Sequence, residues 1–413
     1  YGPEGFGLKA EFARFTAETG ISVRYLGLEE LEYLLPSLDA ASMPDLAIIP
    51  QPGFVIGAAL EAPGIDLATY LDRQATADVF SPYLTRLVTL GPDGSWPADE
   101  GALFAVPIRT SVKGLIWYPV DPFARAGYEV PATWEELLAL SDRIVADGGT
   151  PWCWGEEDEL ATGWPATDWI EDILLRESGV AAYDRWVAGD LPFQSPEVRS
   201  AFERLGEIAF GPGYVRGGIA TGLATPFWQA VQPMFEDPPG CWLYHQATFV
   251  AEFIPYDMEW GPDIRAMAFP GLSGADPDTL IGAGDFLMAF RDRPEIRELI
   301  RFVTRPGFGT AWASAGGGFL SAHRNFDPDA YISCGSGGCE PNTEMQSLGR
   351  RVAVALAGDT FRFDGSDLLG ETGGDWMWRG MIDYLAGGPD SLDRVLAALD
   401  DPEWRDTVVP GSP

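Results

Sequence analysis

Residues 112–137 read VKGLIWYPVDPFARAGYEVPATWEEL, and the order of elements in this stretch decides the fold class. VKGLIWYP is β-rich and follows GALFAVPIRT at 101–110, a second β-rich segment, with no helix-length connection between them. Adjacent segments of this kind can carry a chain from one domain into another. Past Pro131, Thr133 takes the N-cap position and Glu136 the third helical position of a capping box, and the helix TWEELLALSDRIVADGG stops at Gly148.

The same alternation extends in both directions. LKAEFARFTAE at 8–18 has Leu8, Phe12 and Phe15 at helical spacing, with Gly20 beyond its end. ISVRYLGL and MPDLAIIPQPG follow as expected strands, short and continuously apolar as buried parallel strands are. Pro165 opens a helix, PATDWIEDILLRESG, closed by Gly179, and Ser195 with Pro196 opens another. IRAMAFPG and LIGAGDFLMAF are β segments, RPEIRELIRFVT a helix, and GDWMWRGMIDYLAGG and SLDRVLAALDD are helical with one apolar face. Alternating helix and strand patterns mean an α/β layer architecture.

A chain of 413 residues with 46% hydrophobic content fills two large domains rather than one core. No apolar run is long enough to span a bilayer. YGPEGFGLKAEF at the start carries neither the basic residues nor the apolar run of a signal peptide. A net charge of −35 argues against nucleic acid and anionic membrane surfaces as partners. It favours a neutral or cationic ligand, and its bland reading is a solvated acidic surface. The basic residues are arginines except for Lys9 and Lys113, which singles out Lys113.

Cys153, Cys241, Cys334 and Cys339 form no CxxC pair, and with only His245 and His323 beside them a zinc site is not expected. CGSGGC can close a small disulfide loop, which leaves Cys153 for Cys241, although four cysteines allow three connectivities. Such pairing points to an oxidising, extracytoplasmic compartment.

At this point a family becomes visible. TGISVRY, PDLAIIPQPG, the 112–137 stretch, GWPATDWIEDILLR, PPGCWL, GAGDFLMAF, GGGFLSAHRNF, FRFDGSDL and WRGMIDYLAGG together resemble the extracellular solute-binding proteins of carbohydrate ABC transporters, nearest to the alpha-glucoside type. The resemblance runs from about residue 5 to 400 in the same order. It implies a two-lobed α/β clamp of the type II periplasmic-binding class, with interleaved lobes, a hinge, and a sugar held in the interlobe cleft for delivery to a membrane permease. The expected lobes are 1–112 with 276–325, and 113–275 with 326–413. The expected protein is a monomer in the periplasm or on the outer face of the cell membrane, held there by a lipid on an N-terminal cysteine, and it uses no cofactor.

A sugar offers C–H faces and a rim of hydroxyls, so its site needs aromatic plates and fixed polar groups at strand ends and helix starts. Gln51 follows the strand LAIIP directly. Arg109 and Lys113 flank the crossover VPIRTSVKGL, where either a ligand or a carboxylate can meet them. Trp164 and Asp168 surround Pro165 at a helix start, a geometry that aims a ring and an acid outward. Trp169 aligns with Ile173 and belongs to the core, as Trp152 and Trp154 do beside Cys153. Trp228, Gly284, Asp285, Phe319 and Trp376 complete the candidates, with helix capping as the alternative for Asp285. GGGF follows no nucleotide-binding pattern.

The rival class is a glycoside hydrolase, which also uses tryptophans and paired carboxylates. Among 62 acidic residues a pair found by eye carries no weight. No GxSxG, HExxH or Cys-His constellation is present. A binding protein for peptides or polyamines would suit the acidic charge, whereas the tryptophans favour sugars.

Overall fold

The computed structural model describes residues 2–28, 31–39, 41–61, 64–255, 258–272, 279–315, 318–335, 338–368 and 374–403. In it, Thr133 caps the helix Trp134–Ala146: its hydroxyl accepts from Glu136 N at 3.2 Å, and the Glu136 carboxylate accepts from Thr133 N at 3.3 Å. Both halves of the capping box therefore form, and the chain leaves the helix through Gly148 at φ +84°. Ser195 caps Pro196–Ala209 through Val198 N. The helix Trp164–Ser178 begins differently, from Gly163 at φ +111°. A Cβ at that position would stand 2.5 Å from the Trp378 carbonyl oxygen, so both backbone conformation and space require glycine.

The strands in chain order are β1 (Leu46–Ile49), β2 (Thr89–Leu90), β3 (Ala102–Leu103), β4 (Ala105–Val112), β5 (Leu115–Pro119), β6 (Tyr244–His245), β7 (Ile264–Ala268), β8 (Leu280–Ala289), β9 (Ile332–Gly335), β10 (Gly338–Pro341) and β11 (Phe361–Phe363). β8 is the hub of a four-stranded sheet, pairing with β1, β4 and β11. β5 is the centre of a three-stranded sheet, antiparallel to both β6 and β7. β2–β3 and β9–β10 are separate two-stranded pairs.

Two expectations about the first strands change. ISVRYLGL, residues 21–28, is not in a ladder, although the helix before it forms over Gly2–Thr19. LAII does form β1, but antiparallel to β8, with Leu46 opposite Ala289 and Ile49 opposite Phe286. An apolar run reports burial on both faces. It does not report direction, which depends on a partner far away in sequence.

The chain divides into two compact units, 1–111 with 282–363, and 112–281 with 364–413. It passes between them within β4, within β8, and after β11. The first crossing lies one residue from its expected place and the second six residues away, whereas the third lies at 363–364 rather than at 325–326. Residues 326–363 belong to the first unit because β11 joins β8 and Tyr331 Oη accepts from Ser321 N at 3.0 Å.

In the first unit Phe15 packs edge-on against Phe302 at 5.3 Å, and Ile49, Leu299 and Ile300 are also buried. The second unit has an aromatic-rich core. Trp152, Trp154 and Trp169 all lie in it, as their spacing predicts, with Trp154 stacked on Trp169 at 5.8 Å and 6°. Cys153 and Cys241 are joined by a disulfide across a sequence separation of 88, with a Cα–Cα distance of 5.2 Å. Cys339 is also disulfide-bonded and stands opposite Cys334 in the β9–β10 register. The side chain of Cys334, and with it the expected CGSGGC loop, lies outside the described residues. Among the described residues no helix is long and apolar enough to cross a membrane.

Candidate functional site

The candidate residues fall into two groups, one in each unit. In the first unit Arg109 projects from β4 and its Nε lies 2.6 Å from Asp285 Oδ2 on β8. Gly284 lets these strands approach, since a Cβ there would stand 2.5 Å from the Arg109 carbonyl oxygen. The guanidinium sits 5.5 Å from the Trp312 ring centre, and Trp312 stacks on Phe319 at 4.8 Å. Four candidates thus converge here: Arg109, Gly284, Asp285 and Phe319. Phe319 is fully buried, so its ring supports Trp312 rather than facing solvent. Asp285, within β8, pairs with a cation. Gln51 stands half-buried after β1, at the start of the helix Pro52–Glu61.

The second unit holds the denser arrangement. Lys113, one residue past β4, is 6% exposed, and its Nζ lies 3.0 Å from Asp168 Oδ1 and 2.7 Å from Asp364 Oδ2. Asp364 follows β11 directly, and its other oxygen accepts from Ser366 Oγ at 2.7 Å and from Asp367 N at 3.2 Å. Glu171, one helical turn after Asp168, accepts from Gly365 N, Ser366 N and Tyr183 Oη. Oxygens of Asp168, Glu171 and Asp364 lie within 4.8 Å of one another, and the Lys113 ammonium already pairs with two of the three, Asp168 and Asp364.

The two carboxylates on Lys113 are not equivalent. Burial raises the pKa of both, but at Asp364 the ammonium, the Ser366 hydroxyl and the Asp367 N–H outweigh it and hold the carboxyl below its usual range. At Asp168 burial wins over Lys113, and the neighbouring Asp364 charge adds to it, so this carboxyl is pushed well up. The geometry gives the reason: Asp168 Oδ2 has no hydrogen-bond partner among the described residues. Asp364 is thus the carboxyl whose charged form the ammonium favours, while Asp168, on the same ammonium, is the one whose charged form its burial disfavours. Burial works against the Lys113 ammonium, yet Asp168, Asp364 and Asp367 together keep its pKa well above the ordinary lysine value.

Over this cluster lies Trp164, its ring centre 4.4 Å from Lys113 Nζ. Phe227 meets the ring edge-on at 4.9 Å and Phe249 at 5.9 Å, while Phe227 in turn touches Trp228 at 5.3 Å and Phe253 at 5.6 Å. Phe227, Trp228, Phe249 and Phe253 are half-buried and form an aromatic wall. Trp164 Nε1 donates to Asp158 Oδ2 at 2.8 Å. Glu156, fully buried with its pKa raised by burial, accepts from Ala166 N in the first turn of the helix.

Sequence expectation and structure differ at three of these positions. Trp164 is only 8% exposed and Asp168 1%, so neither stands outward at the helix start. Asp168 is turned in by Lys113, and the Trp164 ring is enclosed by phenylalanines. Trp376 lies in the core of the second unit, edge-on to Phe193 at 5.5 Å, while Trp378 donates to Ser366 Oγ. Asp158, Glu171, Asp364, Phe227 and Phe249 were not singled out in the sequence. The quoted motif FRFDGSDL contains Asp364, but nothing in it marks that acid above its neighbours.

A second buried polar group adjoins the cluster. His245 Nε2 lies 3.1 Å from Asp172 Oδ2 and its ring stacks on Trp169 at 4.2 Å. Burial pulls its pKa down against the opposing pull of Asp172. Gly114 permits this contact, as a Cβ there would meet the Asp172 carboxylate at 2.2 Å.

Comparison with known proteins gives a consistent result. The family described as bacterial extracellular solute-binding protein matches residues 2–309. The osmoprotective compounds-binding protein GgtB of Synechocystis is 35% identical over 388 residues, 92% of this chain and 85% of that protein. The alpha-glucosides-binding periplasmic protein AglE of Rhizobium meliloti is 36% identical over 395 residues, covering 93% and 81%. Among solved structures, maltose-bound MalE3 of T. maritima superposes with a TM-score of 0.67 at 16% identity, over 97% of this chain and 96% of that one. At that identity the likeness shows the fold, the two-domain periplasmic-binding-protein fold expected from the sequence.

Proposed function

The chain belongs to the bacterial extracellular solute-binding proteins, and from that premise we propose that it is the capture component of an ABC importer for a neutral sugar, an alpha-glucoside or short oligosaccharide. It binds the sugar reversibly outside the cytoplasmic membrane, as a monomer, and hands it unchanged to the permease. The relatives named for alpha-glucosides and osmoprotective compounds support this substrate class.

The observation that carries the reading is the aromatic wall over a charge-compensated cluster. Half-buried rings suit the C–H face of a pyranose. Lys113 has its charge matched by Asp364, and Arg109 by Asp285, which leaves these cations poorly suited to selecting an anionic ligand. The test is a calorimetric and thermal-shift screen of trehalose, maltose, sucrose, glucuronic acid and spermidine. Saturable binding of one or more of the three disaccharides, each recovered intact, is expected. Preferential binding of spermidine or the sugar acid, or conversion of a disaccharide to monosaccharides, refutes the proposal.

A further inference from the structure

Phe227 stands in the middle of the aromatic wall, edge-on to Trp164, Trp228, Phe249 and Phe253. It opens a helix of only four residues, Phe227–Ala230, which is too short to hold a ring in place by itself. What fixes it comes from outside that helix. Its N–H donates to Glu157 O at 3.2 Å, and Glu157 N donates back to Thr225 O at 3.1 Å. Its carbonyl accepts from Tyr244 Oη at 2.7 Å. The backbone of Phe227 is thus held on both sides, by the segment 151–157 and by β6.

Those two holders are themselves joined. Cys153, a little before Glu157, is bonded to Cys241, a little before Tyr244, so one disulfide frames both anchor points. Cys153 N donates to Leu243 O at 2.8 Å and Leu243 N to Pro151 O at 2.7 Å. Gly155 brings the first segment against the wall, since a Cβ there would stand 3.0 Å from Phe227 Cα. Tyr244 itself is buried, and its hydroxyl accepts from Gln246 Nε2 at 3.3 Å. Trp117 Nε1 holds Gln246 in turn by donating to its carbonyl at 2.8 Å. Burial pushes the phenol pKa up, so the hydroxyl keeps the proton it gives to Phe227. Core packing calls only for a ring at this position; the hydroxyl is explained by the carbonyl it meets.

We propose that Tyr244 is a positioning residue for sugar binding: its hydroxyl fixes the Phe227 carbonyl, and with it the angle at which the Phe227 and Trp228 rings are presented. This rests on the sugar-binding reading given above and adds to it a buried residue that acts through Phe227 without touching the ligand. A plate held before the sugar arrives costs nothing to order on binding. Without the hydroxyl, the short helix loses its tie on the carbonyl side, and the sugar must order the rings itself.

The test uses the full chain with Tyr244→Phe, Phe227→Leu and the two combined. Calorimetry gives the affinity for whichever of trehalose, maltose or sucrose binds tightest, and amide hydrogen exchange is followed in the ligand-free protein. Tyr244→Phe should weaken sugar binding by roughly 3–10-fold, the range one ordinary hydrogen bond accounts for. Exchange at Phe227 and Trp228 should quicken by about 5-fold more than it does in the helix Trp134–Ala146, which reports global stability. In the Phe227→Leu background, adding Tyr244→Phe should cost under about 2-fold in affinity, because the residue it acts through is gone. The same loss in both backgrounds would mean that Tyr244 matters only to the core, and would overturn the assignment. Exchange that quickens evenly across the second unit, or affinity that does not change, overturns it too. If the wild-type protein binds none of the three sugars, the sugar reading itself fails, while the exchange rates still decide whether Tyr244 holds Phe227.

Discussion

Replacing Lys113 by methionine keeps the aliphatic length and removes the ammonium that lies 3.0 Å from Asp168 and 2.7 Å from Asp364. Both carboxyls are fully buried, as is Glu171 beside them. Deleting one partner of a buried pair costs roughly 3–5 kcal/mol, because the remaining charge has no compensation. In a domain of about 150–250 residues each kcal/mol lowers Tm by about 2–4 °C, so a fall of roughly 6–20 °C is expected. The loss also has a pH signature. In the wild type Asp364 titrates below its unfolded value, so its contribution is present above that value and is lost only as pH falls through the lower, folded one. Without Lys113 burial prevails and lifts Asp364 above its unfolded value. The variant then loses stability as pH rises from about 4, and the gap between the two proteins widens from pH 5 to pH 8. Scanning calorimetry across that range measures both effects. Asp168→Asn is the control: burial disfavours the charged form of this carboxyl, so a neutral amide of nearly the same shape should change stability at pH 7 by no more than about 1 kcal/mol. A Lys113→Met loss under about 2 °C, or a gap that does not change with pH, would refute the charge assignment.

Trp164→Ala should destabilise the ligand-free protein by about 3–5 kcal/mol, measured by urea unfolding, because the ring is enclosed by Phe227, Phe249 and Lys113. A ring aimed at solvent, as the sequence alone suggested, would cost almost nothing. Replacing Cys153 and Cys241 together by serine should lower stability by about 4–5 kcal/mol in the chain-entropy account, given their separation of 88 residues. His323 should stay neutral through pH 6 in ring NMR spectra, since burial pulls its pKa down to about 4, and His245 should titrate below the ordinary histidine value because burial outweighs Asp172. Both folded values lie below the unfolded one, so stability is lost as pH falls below about 6.5, for His323 down to about pH 4.

The parts of the fold legible in sequence are those written by neighbours a few residues apart. The Thr133–Glu136 box and the Ser195 cap are local hydrogen bonds, and the helices they start appear where expected. What was not legible depends on partners far off. The β1 direction is set by β8 some 240 residues later, and the third crossing by β11 choosing the same hub. The site divides in the same way. Lys113 stood out by composition, and the structure puts it at the centre of the cluster. Its true partner, Asp364, could not be chosen among so many acids, because 251 residues separate the two and a salt bridge leaves no local trace. Asp168 was found for the wrong reason: a helix start tolerates an acid facing outward, but a buried ammonium one strand away turns it in.

Why a buried ionic cluster should stand here is a question of specificity rather than stability, since well-packed apolar residues can match a buried pair in free energy. Apolar packing, however, would leave the helix Trp164–Ser178 able to settle at several depths against the turn at 364–366. Glu171 removes that freedom by accepting from two successive backbone N–H groups of the turn, and Lys113 does so again by bridging Asp168 to Asp364. Each contact is directional and fails if the helix slides by a fraction of a turn. The element fixed in this way is the one that begins with Trp164, whose indole then anchors Asp158. The sugar surface proposed above would need its rings held to within about 0.5 Å, and a network of directional polar bonds holds the helix start more closely than hydrophobic contact alone. The same logic accounts for the glycine at 163: no other residue could start the helix at that depth, with a Cβ 2.5 Å from the Trp378 carbonyl.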